Sequence, residues 1–198
     1  MFTTLLLHDL KCNFRNISLA VNSCLFFIIF FFTAQLIQSG NINKIDNNII
    51  FWIILISVIL SSSHQYLKSD YENGVIEQII LACYNFELYI FAKIIANWIL
   101  FCLPLIIIYH LINNDFKFSI SAIIASFSIN IICCFSAIFS LSNNSSSLIA
   151  IIALPLIIPI LLIAQNYNLS FSIILPLTVF LFTILSFSAT KLIKIIIS

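Results

Sequence analysis

The stretch that decides the fold is "KSDYENGVIEQIILACYNFELYIFAKIIANW", residues 68–98. It sets four acids (Asp70, Glu72, Glu77, Glu87) and two lysines (Lys68, Lys93) between two of the most apolar runs in the chain. The full 198-residue sequence holds only eight basic and seven acidic residues and is 8% charged and 62% hydrophobic, whereas an average soluble domain is about 25% charged. So few charges cannot clothe a soluble surface. Apolar runs long enough to cross a bilayer, about 20 helical residues, recur from one end to the other. In lipid every backbone N–H and C=O must pair internally, which leaves helices or a closed barrel. The runs are continuous rather than alternating, which selects helices.

Working outward, the chain reads as an all-α membrane protein with six transmembrane helices in one domain, residues 1–198. The spans fall at Leu19–Ile37, Ile49–Tyr66, Leu88–Ile112, Phe118–Leu141, Ser147–Ala164 and Leu169–Ala189. The polar stretch "HDLKCNFRN" ahead of the first run is followed by no convincing small-x-small cleavage site, so that run is expected to be a retained anchor. All connections except 67–87 are short, so consecutive spans are antiparallel neighbours and no second, soluble domain fits between them. Lys11, Arg15, Lys68, Lys93, Lys191 and Lys194 lie on one side, against Lys44 and Lys117 on the other. The positive-inside bias then places both termini and segment 67–87 in the cytoplasm.

The opening segment is therefore cytoplasmic, yet it carries more acids than bases. "DYENG" forms a turn, because Asn-Gly accepts positive φ, and Asp70 or Asn73 is placed to cap the helix beyond it. From Val75, the apolar residues Ile76, Ile79, Ile80 and Cys83 recur at three- and four-residue steps, while Glu77 and Gln78 face the other way. That is a short amphipathic helix along the membrane surface. Anionic lipid would repel its acids; a protein partner with basic groups accounts for them better than a solvated loop does.

Elsewhere the sequence offers no enzyme. With two glycines, no GxxxxGK[ST] phosphate loop exists, and HExxH, GxSxG and His-rich clusters are missing too. His8, His64 and His110 are far apart, each near a water interface, and read as amphipathic rather than as ligands. The six cysteines show no CxxC pair and no zinc-like spacing, so packing is their role and no metal is expected. Ser121, Ala125, Ser128, Ser136 and Ser140 share one face of the fourth span, a small-residue surface for close helix approach. Asn97 and Asn130 lie deeper and need interhelical partners. Lys93 sits one turn into the third span, its stem along apolar surface and its ammonium at the interface. Pro104, Pro155, Pro159 and Pro176 lie inside spans. "ALPLIIPI" puts two of them four apart, so a kink is expected in the fifth.

These residues also resemble a known family. "SDYENGVIEQIIL" followed by "AKIIANW…LPLIII" is similar to the D-x-x-D/E-G-x-x-E-Q and AK-x-x-x-HW…LPL pattern of the haem exporter protein B family, CcmB. "LPLIIPILLIA" at 154–164 resembles that family's fifth-span signature, and "SATKLIKI" its C-terminal end. The likeness covers nearly the whole chain in order, with 68–105 its most specific block. It implies the permease of an ATP-binding-cassette (ABC) transporter for cytochrome c maturation in the bacterial inner membrane, without an ATPase of its own. A separate ABC ATPase subunit would dock on the cytoplasmic helix through Asp70, Glu72, Gly74, Glu77 and Gln78. The family's AK and W fall on Ala92, Lys93 and Trp98, and Pro104, Pro155 and Pro159 belong to its structural motifs. The family's usual His before that Trp is Asn97 here. The resemblance further implies other membrane subunits and a second copy of the chain as partners, within the lipid bilayer and without nucleic acid. No tightly bound cofactor is implied; haem would be a transported substrate, or ATP would instead drive release of a haem-loaded chaperone. An exporter of a lipid or drug and a non-transporting scaffold are the alternative readings. Co-purification with an ATPase tells the scaffold apart, and a cytochrome c defect on deletion tells the unrelated exporter apart.

Overall fold

The structure, a computed structural model, describes residues 17–39, 46–81, 86–141, 147–165 and 170–197. Among the described residues every regular element is helical and there is no strand. In chain order the elements are α1 (Ile17–Ser39), α2 (Asn47–Glu72), α3 (Val75–Leu81), α4 (Phe86–Asn97), a π-helical turn π1 (Trp98–Cys102), α5 (Leu103–Asn113), α6 (Phe116–Leu141), α7 (Ser147–Ala164), a second π turn π2 (Ser170–Ile174) and α8 (Leu175–Ile197). Three helical bodies, Asn47–Glu72, Glu87–Asn113 and Phe116–Ser140, are long and apolar enough to cross a membrane. Three shorter apolar helices stand with them, at Val21–Leu36, Leu148–Ala164 and Ser172–Ile184. The six apolar runs of the sequence are thus six helical bodies. Their bounds depart most at α8, which continues past Ala189 to Ile197, and at α2, which continues past Tyr66 to Glu72 and carries Lys68 and Asp70 with it.

Helix α6 is the hub, packing against α2, α5, α7 and α8. Its sequence explains why it can be surrounded. Ser121, Ala122, Ala125, Ser126, Ser128, Ser136, Ala137 and Ser140 are all buried. Most of these hydroxyls are satisfied within the helix: Ser126 donates to the Ile123 carbonyl, Ser128 to Ile124, Ser136 to Ile132 and Ser140 to Ala137. Bonded back in this way, a serine presents a small, nearly apolar surface that lets neighbouring helices approach. Ser121 instead donates across to the Ala164 carbonyl at 2.8 Å, supplying a partner for the C-terminal end of α7.

At the end away from α3, Phe27, Phe31, Phe51, Tyr109 and Phe118 form a buried aromatic cluster around Phe51. There α5 turns into α6 across two residues. Asn114 takes the left-handed conformation (φ 52°), which Asn tolerates better than most side chains, and Asp115 Oδ1 accepts from the Phe118 N–H at 3.2 Å.

The four prolines of the spans fall into two pairs. Ser147–Ala164 remains one helix through Pro155 and Pro159, both on its exposed face. The departures from α geometry stand instead before Pro104 and Pro176, each the second residue of the helix after a five-residue π turn. A proline has no N–H to donate and its ring crowds the carbonyl four residues back; the wider π turn accommodates both.

Candidate functional site

The site forms where α2, α3 and α4 meet. Near the end of α2, Asn73 is the C-cap and Gly74 (φ 68°) turns the chain, its N–H donating to the Tyr71 carbonyl at 3.1 Å. The left-handed value at Gly74 is the positive φ that "DYENG" predicts. Helix α3 starts directly after, its Gln78 N–H donating to the Gly74 carbonyl at 3.1 Å. Ile76, 1% exposed, anchors it in an apolar cluster with Leu67 of α2 and Tyr89, Ile90 and Ile94 of α4. Its other face carries Glu77, Gln78 and Leu81, which share one side at three- and four-residue spacing and are all exposed, Leu81 by 81%. Of the apolar face expected from the sequence, Ile76 is buried and Ile79 packs partly against the same cluster. Cys83 lies outside the described residues, and nothing is described of the Ile80 side chain.

The acids of the segment divide into two groups. Glu72 is 61% exposed and pairs with Lys68 at 3.6 Å, an i,i+4 surface contact of little energetic weight. Asp70 turns inward. Its carboxylate is paired with Lys93 Nζ at 2.5 Å, with only 19% of the aspartate and 7% of the lysine side chain exposed. Tyr89, one turn before Lys93, donates its hydroxyl to the same Oδ2, and the lysine ammonium lies 5.7 Å from the Tyr89 ring centroid. Asp70 therefore serves as an ion-pair partner inside α2 rather than as a cap, and Lys93 reaches back to α2 rather than out to water. Two donors on one face of α4 clasp the last turns of α2, and the chain between them carries α3. Removing one partner of such a buried pair costs about 3–5 kcal/mol, because the other is left as an uncompensated charge.

One turn further along the same face of α4, Asn97 is wholly buried. It donates from Nδ2 to Asn130 Oδ1 of α6 at 2.7 Å, and Asn130 donates from Nδ2 to the Ile94 carbonyl at 2.8 Å. Cys134 donates to Asn130 Oδ1 at 3.8 Å, filling its second lone pair. Trp98, opening the π turn, donates from Nε1 to Ser126 Oγ at 3.0 Å. A polar ladder, Asp70 to Tyr89 and Lys93, then Asn97 to Asn130, thus runs from the end of α2 into the hub helix.

The structure brings Asp70 and Lys93 together and leaves Glu72, Glu77 and Gln78 on the surface. Pro104 marks a π turn, whereas Pro155 and Pro159 lie on the outer face of α7. His110 accepts or donates at Nδ1 with Ser119 Oγ at 2.9 Å, a local contact between α5 and α6. His8 lies outside the described residues, and nothing is described of the His64 side chain. Among the described residues no three metal-capable side chains converge. The sequence reading does not include the clasp, although its signal is there: Tyr89, Lys93 and Asn97 form a four-residue polar period in an otherwise apolar helix.

An all-helical arrangement in which three helices are long and apolar enough to cross a membrane, with three shorter apolar helices beside them, defines the class of integral membrane proteins. Residues 1–196 match the family model described as "CcmB protein", and the chain belongs to the CcmB family. That family is the haem-exporter permease component of an ABC system for cytochrome c maturation. No curated protein matches the chain significantly.

Proposed function

We propose that this chain is the inner-membrane permease subunit through which a separate ATPase drives the haem-handling step of cytochrome c maturation, with α3 as the element the ATPase engages. The observation that carries the reading is the build of α3. It is set off by a left-handed Gly74, seated by Ile76 and clasped at its base by Asp70, Tyr89 and Lys93, yet it offers Glu77, Gln78 and Leu81 outward. A solvated connection has no need of a buried ionic base; a lever does. In this reading the six helical bodies cross the membrane six times with both termini cytoplasmic, as the Lys/Arg distribution favours. A second copy of the chain completes the pathway, further membrane subunits receive its motion, and either haem or a haem-loaded chaperone is what is released.

The test is Glu77→Lys in the assembled complex. A desolvated interfacial charge whose partner is lost typically costs ~2–5 kcal/mol, whereas a solvated rim charge changes affinity little. The variant is expected to insert and accumulate normally while losing bound ATPase subunit or its stimulation. Normal association, ATP turnover and cytochrome c assembly in that variant would reduce α3 to a connecting loop.

A further inference from the structure

The polar ladder contains an unmatched group. Because Asn130 Nδ2 is committed to the Ile94 carbonyl, its Oδ1 faces Asn97, which must answer with Nδ2. That fixes the orientation of the Asn97 amide and leaves its Oδ1 as a wholly buried acceptor with no hydrogen-bond partner. Such a group is costly in a low-dielectric interior unless a donor can reach it in some state of the molecule. The nearest mobile cation on the same face is Lys93, one turn earlier. Side chains four apart on a helix have Cβ atoms about 5–6 Å apart. Every Cβ also tilts toward the helix N-terminus, so the Asn97 amide hangs over the turn that holds Lys93. Lysine has a flexible four-carbon stem and three rotatable donors, so its ammonium can exchange acceptors without moving the backbone of α4.

From this geometry we infer that Lys93 is a two-position switch, paired with Asp70 in the state seen here and with Asn97 Oδ1 when α2 and α3 are drawn away from α4. The inference rests on α3 being the element the ATPase engages, and it adds what that engagement changes inside the membrane. Pulling the Asp70 end outward breaks a short ion pair, and the released ammonium finds an acceptor already in place. The released ammonium loses its counter-ion but keeps a hydrogen-bond acceptor, which makes the transition one between two discrete arrangements rather than a gradual strain. Asn97 in turn holds Asn130 of α6 and is followed at once by the π turn, where the helix is least regular. The second position therefore delivers the movement of α3 to the hub of the bundle. Lys93, Asp70 and Asn97 are positioning residues in this scheme, and none of them touches the cargo.

The measurement is the distance between spin labels at the exposed positions Asn73 and Lys117, in chains whose native cysteines are replaced. It is taken in the complex with the ATPase subunit, with and without a non-hydrolysable nucleotide. Asp70→Ala removes the first position and is expected to give the nucleotide-bound distance without nucleotide. Asn97→Leu removes the second and is expected to keep the nucleotide-free distance with nucleotide present. Opposite shifts from the two ends are the signature; shifts of the same sign, or none, overturn the switch. Should Asp70→Ala fail to accumulate, the exchange Asp70→Lys with Lys93→Asp decides. It restores the clasp, but it places an acceptor opposite Asn97 Oδ1, so the complex should assemble and lose its nucleotide-dependent change. If the exchange restores that change as well, the pair is a static staple. Amount of bound ATPase subunit is recorded throughout, with Glu77→Lys alongside: normal binding in Glu77→Lys sinks the docking role of α3, whereas normal binding in the Asp70 and Asn97 variants with no distance effect sinks the switch alone.

Discussion

Gly74 offers a perturbation whose size can be worked from geometry alone. Its φ of 68° lies in the left-handed region, and a Cβ added there would meet no atom within 4 Å. Substitution is therefore opposed by backbone conformation and not by crowding, and the cost should follow each residue's tolerance of that conformation. An ordinary L-residue loses roughly 1–2 kcal/mol on entering it. Asn loses less, because its short polar side chain bonds locally, and a β-branched residue loses more. At about 1.4 kcal/mol per tenfold, Gly74→Ala should lower occupancy of the turn about 5–30-fold relative to competing geometries. Gly74→Asn should lie close to the native chain, and Gly74→Val well below alanine. The turn aims α3, so the assay is the fraction of ATPase subunit retained by each purified variant, normalised to the amount of inserted chain. The expected order is Gly, Asn, Ala, Val. Retention of native binding by Gly74→Val would refute both the need for this turn and the idea that its angle sets how α3 is presented. An order following side-chain volume, with Asn below Ala, would show that a docked surface fills the space beside Gly74 and that sterics govern instead.

Two further outcomes are expected. Reporter fusions after Asn41 and Asn114 should report the outside of the membrane, and fusions after Glu72 and Ser198 the inside; an outside signal after Glu72 would remove α3 from the ATPase side, and an odd number of crossings between the termini would overturn the six-span topology. Asn97→His should sustain cytochrome c assembly, because a neutral imidazole can both donate to Asn130 Oδ1 and keep an acceptor nitrogen, and loss of assembly in a complementation assay would count against it.

Much of the fold is legible in the sequence because hydrophobicity in a membrane protein is nearly sufficient to place helices. The described bounds of α4–α5, α6 and α7 lie within about two residues of the apolar runs. The α2 boundary is not legible, for a physical reason. Composition turns polar after Tyr66, but "LKSDYE" continues the helix because Asp70 has a buried partner on α4 that no local pattern reveals. The site of helix distortion is hidden for a related reason. Pro155 and Pro159 stand on the exposed face of α7, whose helix remains continuous, whereas Pro104 and Pro176 each come just after a π turn. Both of those turns precede a Leu-Pro-Leu triplet, but the third such triplet, at Leu154–Leu156, lies within an unbroken α-helix. The triplet alone does not specify the geometry.

The mixture of charges in residues 68–98 is best understood as two populations with opposite requirements. Asp70 and Lys93 are tolerable in the interior only because each is the other's partner, with Tyr89 supplying a second donor to the carboxylate. Glu77 is exposed instead, which is tolerable only where water or a basic surface faces it. Reading the segment by net charge merges these roles and makes the whole of it look like a docking surface. Reading it by helical phase separates them: Asp70 is three residues after Leu67, which is itself buried in the cluster that seats Ile76, while Glu77 lies beside Gln78 on the outward side of α3. The same short stretch can then be rigid at its base and free at its face. A lever requires that combination, and a linker, free along its whole length, would transmit nothing.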